Sequence, residues 1–499
     1  MSSELPKGWI WSTLGKVCHN PQYGWTTKAT KTGSLRLLRT TDITSGIINW
    51  DTVPFCEKDP ENKDKYLLKG GDIVISRAGS VGYSQLIKLP QNSVFASYLI
   101  RFIPIIDKNY VAYFLKSPYY WNLISKNKIG IAVPNVNATK LKMVSIPIAP
   151  LNEQHRIVTK IEELFTKLDA GVEELKNAQA QLKRYRQSVL KAAVEGRLTA
   201  EWREQHLSAS LSSSQTGKDE FEPADKLLKC ILKERRERWE AEQLAKYKSK
   251  GKKSPTNWQE KYKEPTPPDT SNLPDLPEGW VWTTLGNITQ PSKEKVDPKK
   301  IDEITYIGLE HIEKQTGKLL DSGLSSEIRS TKSKFSAGDL LYGKLRPYLN
   351  KVYVAEFDGI CSTDILVFKP SIFVKNKFLQ FYMLRDNFVR YANLNVSGVH
   401  HPRVNFKVLS EFLIALPSKN EQKKIIDIVN NIFSVIDKIE LELNVNIQKS
   451  DNLRQSILKS AFKGKLVPQD PNYLPASVLL ERIKSEKAKP KKFKQMEIL

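Results

Sequence analysis

The feature that most constrains this chain is a repeat of its own opening phrase. "LPKGWIWSTLG" at 5–15 returns as "LPEGWVWTTLG" at 276–286. Further blocks follow in the same order. "GGDIVISRAGSVG" (70–82) is answered by "AGDLLYGKLRPYL" (337–349), and "FASYLIRFIP" (95–104) by "CSTDILVFKP" (361–370). "IPIAPLNEQHRIVTKIEELFTKLD" (146–169) matches "IALPSKNEQKKIIDIVNNIFSVID" (414–437), and "RQSVLKAAVEGRL" (186–198) matches "RQSILKSAFKGKL" (454–466). "PADKLLKCIL" (223–232) is answered more weakly by "PASVLLERIK" (475–484). Six ordered blocks make a tandem duplication, not a solenoid of short units. The block ends match closely while the interiors, roughly 20–69 and 290–336, barely match. One scaffold carrying two different surfaces fits that pattern.

Each half begins with short runs of β-branched and aromatic residues, such as "GDIVIS" and "GDLLYG", bounded by Gly, Pro or Asn. These read as strands of an α+β domain. "NYVAYFLKSPYYWNLI" (109–124) reads as a helix interrupted near Pro118. The texture then changes. From 152 to 195 there is no proline, and Ile157, Ile161, Leu164, Leu168, Val172, Leu175, Leu182, Tyr185 and Val189 recur at steps close to a heptad seam. The second copy repeats this with Ile425, Val429, Ile432, Ile436, Ile439, Leu443, Ile447, Leu453 and Ile457. Each predicts a helix of about 65 Å at 1.5 Å per residue. Long apolar stripes need a partner in water. The duplication favours pairing the two helices antiparallel, the alternative being that each packs back on its own domain. Asn152 and Asn420 are candidate N-caps, and Gly196 and Gly464 stand where a left-handed residue would end each helix. Residues 222–247 predict a further helix, followed by a Lys- and Pro-rich surface linker.

The net charge of +23 favours an anionic partner, nucleic acid first. Residues 1–150 alone hold 19 Lys and Arg against 9 Asp and Glu. No apolar stretch is long enough to span a membrane. The N-terminus lacks a signal core, so a cytoplasmic location is expected. Cys18, Cys56, Cys230 and Cys361 lack paired spacing and are expected to be free thiols. The phosphate-binding, dinucleotide-binding and zinc-ligand motifs are absent. His400 and His401 alone do not make a metal site, and no nuclease carboxylate cluster or methyltransferase motif stands out.

"LPKGWIWSTLG", "GDIVISRAG", "PLNEQHRIV", "RQSVLKAAVEGRL", "ERRERWEAEQLAK" and "KLVPQDPNYLPASVLLERI" together resemble the specificity subunit of type I restriction–modification enzymes, over nearly the whole chain. The resemblance implies an α+β protein with two tandem target recognition domains. Each is followed by a long helix, and the helices form an antiparallel coiled coil with pseudo-twofold symmetry. The implied layout is a first recognition domain (1–150), a central long helix (151–200), a linker with an amphipathic helix (201–275), a second recognition domain (276–418), a distal long helix (419–466) and a basic tail (467–499). It implies a non-catalytic reader of a split, asymmetric target in double-stranded DNA. Its implied partners are two methylation subunits using S-adenosylmethionine and, in the full complex, two restriction subunits using ATP and Mg. This chain itself would bind no cofactor. The rival readings are an autonomous enzyme and a coiled-coil scaffold with two non-catalytic binding heads.

Base reading needs Arg, Lys, Asn, Gln, Ser or Thr on loops that enter a groove. In the first domain, "LLRTTDITSG", "SRAGSVGY" and "VPNVNATK" supply Arg39, Thr40, Thr41, Arg77, Tyr83, Asn135 and Asn137. In the second, "YIGLEHIEKQ", "YGKLRPYLNK" and "VSGVHHPRVN" supply His311, Lys344, Arg346, Tyr348, His401 and Arg403. Each side chain could equally meet a phosphate or stay a solvated charge.

Overall fold

The structure is a computed structural model that describes residues 4–126, 135–212, 223–251 and 253–488; side chains are described in all but 126 and 207–212. The "LSASLSSSQTGKDE" connection and the last eleven residues of the basic tail lie largely or wholly outside the described residues. The chain forms two compact units. One comprises residues 1–177 and 443–499, the other 178–442. Each unit therefore holds one recognition domain and segments from both sequence repeats.

In the first unit, a sheet runs in the order Gln22–Tyr23, Leu99–Phe102, Ile73–Ser76, Ser84–Leu86. A second sheet runs Ala29–Thr30, Phe55–Cys56, Arg36–Leu38, Ser93–Phe95. In the second unit, the corresponding sheets run Val352–Val354, Leu340–Gly343, Ile365–Phe368 and Lys295–Val296, Lys332–Phe335, Gly359–Cys361, Thr305–Ile307, Gly323–Leu324. The interiors that barely match in sequence thus share a plan. Arg36–Leu38 pairs parallel with Ser93–Phe95, and Thr305–Ile307 pairs parallel with Gly359–Cys361. The second domain inserts Lys332–Phe335 beside Gly359–Cys361. The helix expected around Pro118 is two, Lys108–Phe114 and Pro118–Lys126; its counterpart is Asn376–Met383 and Asp386–Leu394.

The repeated opening phrase is a clasp. Gly8 and Gly279 take φ of 85° and 79°, so the next indole turns inward. Trp9 Nε1 donates to Glu153 Oε1 (3.1 Å), and Trp280 Nε1 donates to Glu421 Oε2 (2.8 Å). Both carboxylates are buried. Burial pushes both Glu side chains above the usual range, although hydrogen bonds from Gln469 and Trp9 at Glu153, and from Thr199, Trp280 and Arg203 at Glu421, oppose this. Gly8 and Gly279 also accept a backbone hydrogen bond from Ala476 (2.8 Å) and Ala224 (2.9 Å), the first residues of helices Ala476–Ala488 and Ala224–Ser249. Further along these helices a cation fixes each to its domain. Lys487 Nζ donates to Gly15 O (3.0 Å), and Arg235 Nη1 donates to Gly286 O (2.8 Å). The weak sixth block of the repeat is therefore one structural device used twice.

The long helices span Leu151–Val194 and Lys419–Ala461. Asn152 and Asn420 are not the N-caps expected; both lie exposed inside the first turn. Ser418 caps the second helix, its Oγ accepting from Glu421 N (3.2 Å). The buried members of "NEQ" are instead Glu and Gln. Gln154 and Gln422 return hydrogen bonds to Ala149 O and Pro417 O. Gly196 and Gly464 have φ of 71° and 66°.

The helices pair within each unit. In the first, Leu164, Phe165 and Leu168 pack against a core containing Ile457, Leu458 and Ala461. In the second, Val189–Val194 share a core with Ile425 and Val429, and Ile432 and Phe433 pack against it. Tyr185, Leu453 and Ile439, expected in the seam, are exposed. At Tyr185 and Leu453 the next residue, an arginine, takes the place. The Arg186 guanidinium lies over the Phe433 ring (4.8 Å) and pairs with Asp437; Arg454 lies over Phe165 (4.9 Å) and pairs with Asp169. The two trios are the same three repeat positions with the roles of the copies exchanged, as antiparallel pairing of the two helices requires. Mid-helix apolar residues such as Val172, Leu175 and Leu182 remain half-buried, as expected where only two helices cover a seam.

The Lys- and Pro-rich stretch is more than a surface linker. Trp258 is buried and stacks on Trp239 of helix Ala224–Ser249 (5.8 Å), which also meets Tyr262 (5.3 Å). Cys18, Cys56 and Cys361 are buried free thiols, and Cys230 is exposed. Among the described residues, no helix is long and apolar enough to cross a membrane.

Candidate nucleic-acid interface

Each recognition domain presents a polar rim where strands of its two sheets end. In the first domain, strand Ile73–Ser76 delivers Arg77, and Arg36–Leu38 delivers Arg39. The connection Ala96–Tyr98 runs between them. Ala96 N donates to Leu38 O (2.9 Å), and Arg77 N donates to Tyr98 O (2.9 Å). Val136 N donates to Arg77 O (3.0 Å), which brings Asn135 beside the same strand end. The Arg77 guanidinium lies over the Tyr23 ring (5.0 Å), whose hydroxyl accepts from Ala138 N (3.0 Å). Arg77, Tyr98 and Asn135 therefore converge on one edge, with Tyr98 and Asn135 exposed.

The second domain builds the same frame with other side chains. Lys344 follows Leu340–Gly343; its N–H donates to Asp364 O (2.9 Å), and its carbonyl accepts from Val404 N (3.0 Å). Lys344 thus occupies the place of Arg77, Asp364 that of Tyr98, and Arg403 that of Asn135. Arg403 Nε and Nη2 meet the two oxygens of Asp364 at 3.1 and 3.2 Å, and Lys344 Nζ lies 3.9 Å from Asp364 Oδ1. Hydrogen bonding to this carboxylate holds the Arg403 guanidinium above its ordinary pKa. Arg346 N donates to Pro402 O (2.8 Å), so Arg346 joins the group. Its φ of 51° is unusual for a residue with a side chain and fixes an abrupt turn into the short helix Pro347–Leu349. Tyr348 and His401 are exposed nearby in the sequence.

Other expected residues have local tasks. Arg39 donates from Nε and Nη2 to both carboxylate oxygens of Asp42 (3.1 and 2.9 Å), and Asp42 accepts its backbone N–H (2.8 Å). Thr40 is half-buried and Thr41 exposed on that turn. In the second domain the equivalent turn uses His311, whose Nδ1 accepts from Gly308 N (3.1 Å). Asn137 caps helix Ala138–Lys142 by accepting from Lys140 N (2.9 Å). Tyr83 stands edge-on to Trp121 (5.1 Å). Val133 and Pro134 of the quoted loop lie outside the described residues. Three rim residues escaped the sequence reading: Tyr23, Tyr98 and Asp364. The signal for the last two was present, since "ASY" and "STD" are the short links by which the chain passes from one sheet to the other.

A family model described as the type I restriction modification DNA specificity domain matches residues 6–180 and again 277–449. The chain is 29% identical over 385 residues to the Type I restriction enzyme EcoDI specificity subunit of Escherichia coli, covering 74% of this chain and 76% of that one. It is 24% identical over 521 residues to the EcoKI specificity subunit of Escherichia coli strain K12, covering 98% and 97%. Among solved structures, a chain from a study of assembly and conformational transition in a type I restriction–modification system shares the fold, with a TM-score of 0.58 and 17% identity over 93% of this chain and 99% of that one. The chain belongs to the type I restriction modification DNA specificity family and carries two copies of its domain.

Proposed function

We propose that the two rims read the two halves of a split, asymmetric DNA target, while separate methylation and restriction subunits perform the chemistry. The observation that carries this is the shared backbone frame offering Arg77, Tyr98 and Asn135 in one domain and Lys344, Asp364 and Arg403 in the other. One scaffold with exchanged readers gives two different half-sites. Arginine, lysine and asparagine are the side chains that pair with guanine and adenine edges, and the basic surroundings supply phosphate contacts. Two methylation subunits bringing S-adenosylmethionine would modify adenine flipped from the duplex. Two restriction subunits bringing ATP and Mg would cleave unmodified sites, in the cytoplasm. The chain alone neither methylates nor cleaves.

The test is domain exchange. Residues 1–150 are replaced by the same region of a relative, the chain is assembled with methylation subunits, and genome methylation is mapped. One half-site should change and the other persist. Binding should weaken linearly in log affinity against log salt, with a slope near −0.9 per phosphate neutralised. Both halves changing together, or binding indifferent to salt, would count against the reading.

A further inference from the structure

We infer that Asp364 is a positioning residue that braces Arg403 to read one guanine in the half-site of the second domain; this rests on the function proposed above. The geometry is specific. An arginine has five N–H donors in a planar fork. Asp364 engages the Nε and Nη2 edge of Arg403 through both carboxylate oxygens. The far edge, with one N–H from each terminal nitrogen, stays unused by that pair. Its two parallel donors match guanine O6 and N7 in the major groove. The Arg403 side chain is 46% exposed and that of Asp364 only 25% exposed, so the reader projects and the brace sits behind it.

The backbone supports the same arrangement. Arg403 forms isolated bridges with both Leu345 and Ser397, so its Cα cannot drift. Fixing the guanidinium at both ends lowers the entropy lost on docking. A carboxylate here also argues against a phosphate contact for Arg403. It would set a negative charge beside the DNA backbone and weaken attraction to it, whereas the guanine edge is neutral. The first domain has neither member of the pair: Tyr98 and Asn135 stand at these positions. Asparagine suits adenine N6 and N7. The two half-sites are thus expected to differ at this step.

The test uses the full-length chain with its methylation subunits, on a target defined by methylation mapping with half-sites assigned by domain exchange. Each guanine of the second half-site is replaced singly by 7-deazaguanine, which lacks the N7 acceptor, and competition binding is measured. At one position wild type should lose affinity roughly tenfold. Arg403→Ala should abolish that sensitivity. Asp364→Asn should reduce it severalfold while leaving base sensitivity in the first half-site, which the other domain reads, as in wild type. The wild-type arm needs no variant to fold. A second half-site without guanine, or no sensitive position, overturns the inference. So does sensitivity that survives Arg403→Ala. Sensitivity lost in Arg403→Ala but intact in Asp364→Asn removes the brace alone. In each of these cases salt-dependent, target-preferring binding by wild type would leave the general reading function standing.

Discussion

Single residues here are constrained by closeness rather than by chemistry, and Gly464 is the sharpest case. It has a left-handed φ of 66°, and a Cβ there would fall 2.3 Å from Pro6 Cγ. Gly196 repeats the arrangement, with Pro277 Cγ at 2.8 Å. The proline of each opening phrase thus sits on the glycine that ends the other copy's helix. A side chain in the left-handed region costs about 1–2 kcal/mol before any clash. Gly464→Ala should therefore destabilise by at least about 2 kcal/mol, and Gly196→Ala by somewhat less, in urea unfolding of the full chain. Equal stability of Gly464→Ala and wild type would show that the clasp yields freely. These glycines were legible in the sequence because "EGRL" and "KGKL" recur after long helical stripes. The prolines they touch were not, since periodicity says nothing about contacts between segments hundreds of residues apart.

At the scale of elements, the paired helices are held by apolar ends and by one exchanged ionic motif. Its two copies are unequal. Arg186 is nearly buried and meets Asp437 and Glu440, and Asp437 also meets Lys318 Nζ at 2.6 Å. Asp169, in the other copy, pairs with Arg454 and is mostly exposed. Asp437→Asn should cost about 1–2 kcal/mol, and Asp169→Asn less than about 1 kcal/mol. The pH dependence has a definite sign. Burial works against ionisation of Asp437, but hydrogen bonds and charge from Lys318 and Arg186 outweigh it and hold the carboxyl below the usual value of 3.8. Its stabilisation is therefore present above that pH and lost as pH falls through the folded pKa. The stability gap between wild type and Asp437→Asn should be flat from pH 7 to about 5 and close below about 3.8. A gap that widens in acid would reverse the assignment. The stripe itself was readable from steps of three and four, but its centre was misplaced by one residue at Tyr185 and Leu453. An arginine lying flat on a phenylalanine can occupy a seam position that hydrophobicity alone assigns to its neighbour. The rims show the same limit. Arg77, Asn135, Lys344, Arg346 and Arg403 stand out in the sequence as polar residues between apolar strands, and the structure gathers them by domain. Asp364 lies outside the polar stretches that hold them, and its pairing with Arg403, 39 residues away, is a contact that residue type and spacing do not encode.

For the whole molecule, the decisive fact is that neither sequence half is a structural unit. Residues 443–499 belong with the first domain, and 178–275 with the second. The first long helix passes from one unit to the other between 177 and 178, the second between 442 and 443. Both helices run unbroken through these points, so length can be inserted there without touching either rim. Four residues add about 6 Å and slightly more than one turn, which keeps the apolar faces close to phase. Because the helices run antiparallel, the insertion belongs in both, after Asn177 and after Glu442. The preferred spacer between half-sites should then lengthen by about one to two base pairs, at about 3.4 Å per pair, with both half-sites unchanged. Methylation mapping with the lengthened chain and its methylation subunits measures this directly. Two residues inserted at each point should instead turn the faces roughly half-way round and weaken assembly, since a helix face repeats every ~3.6 residues. A well-folded four-residue double insertion that still prefers the original spacer would mean that the helices do not set the distance between the two readers.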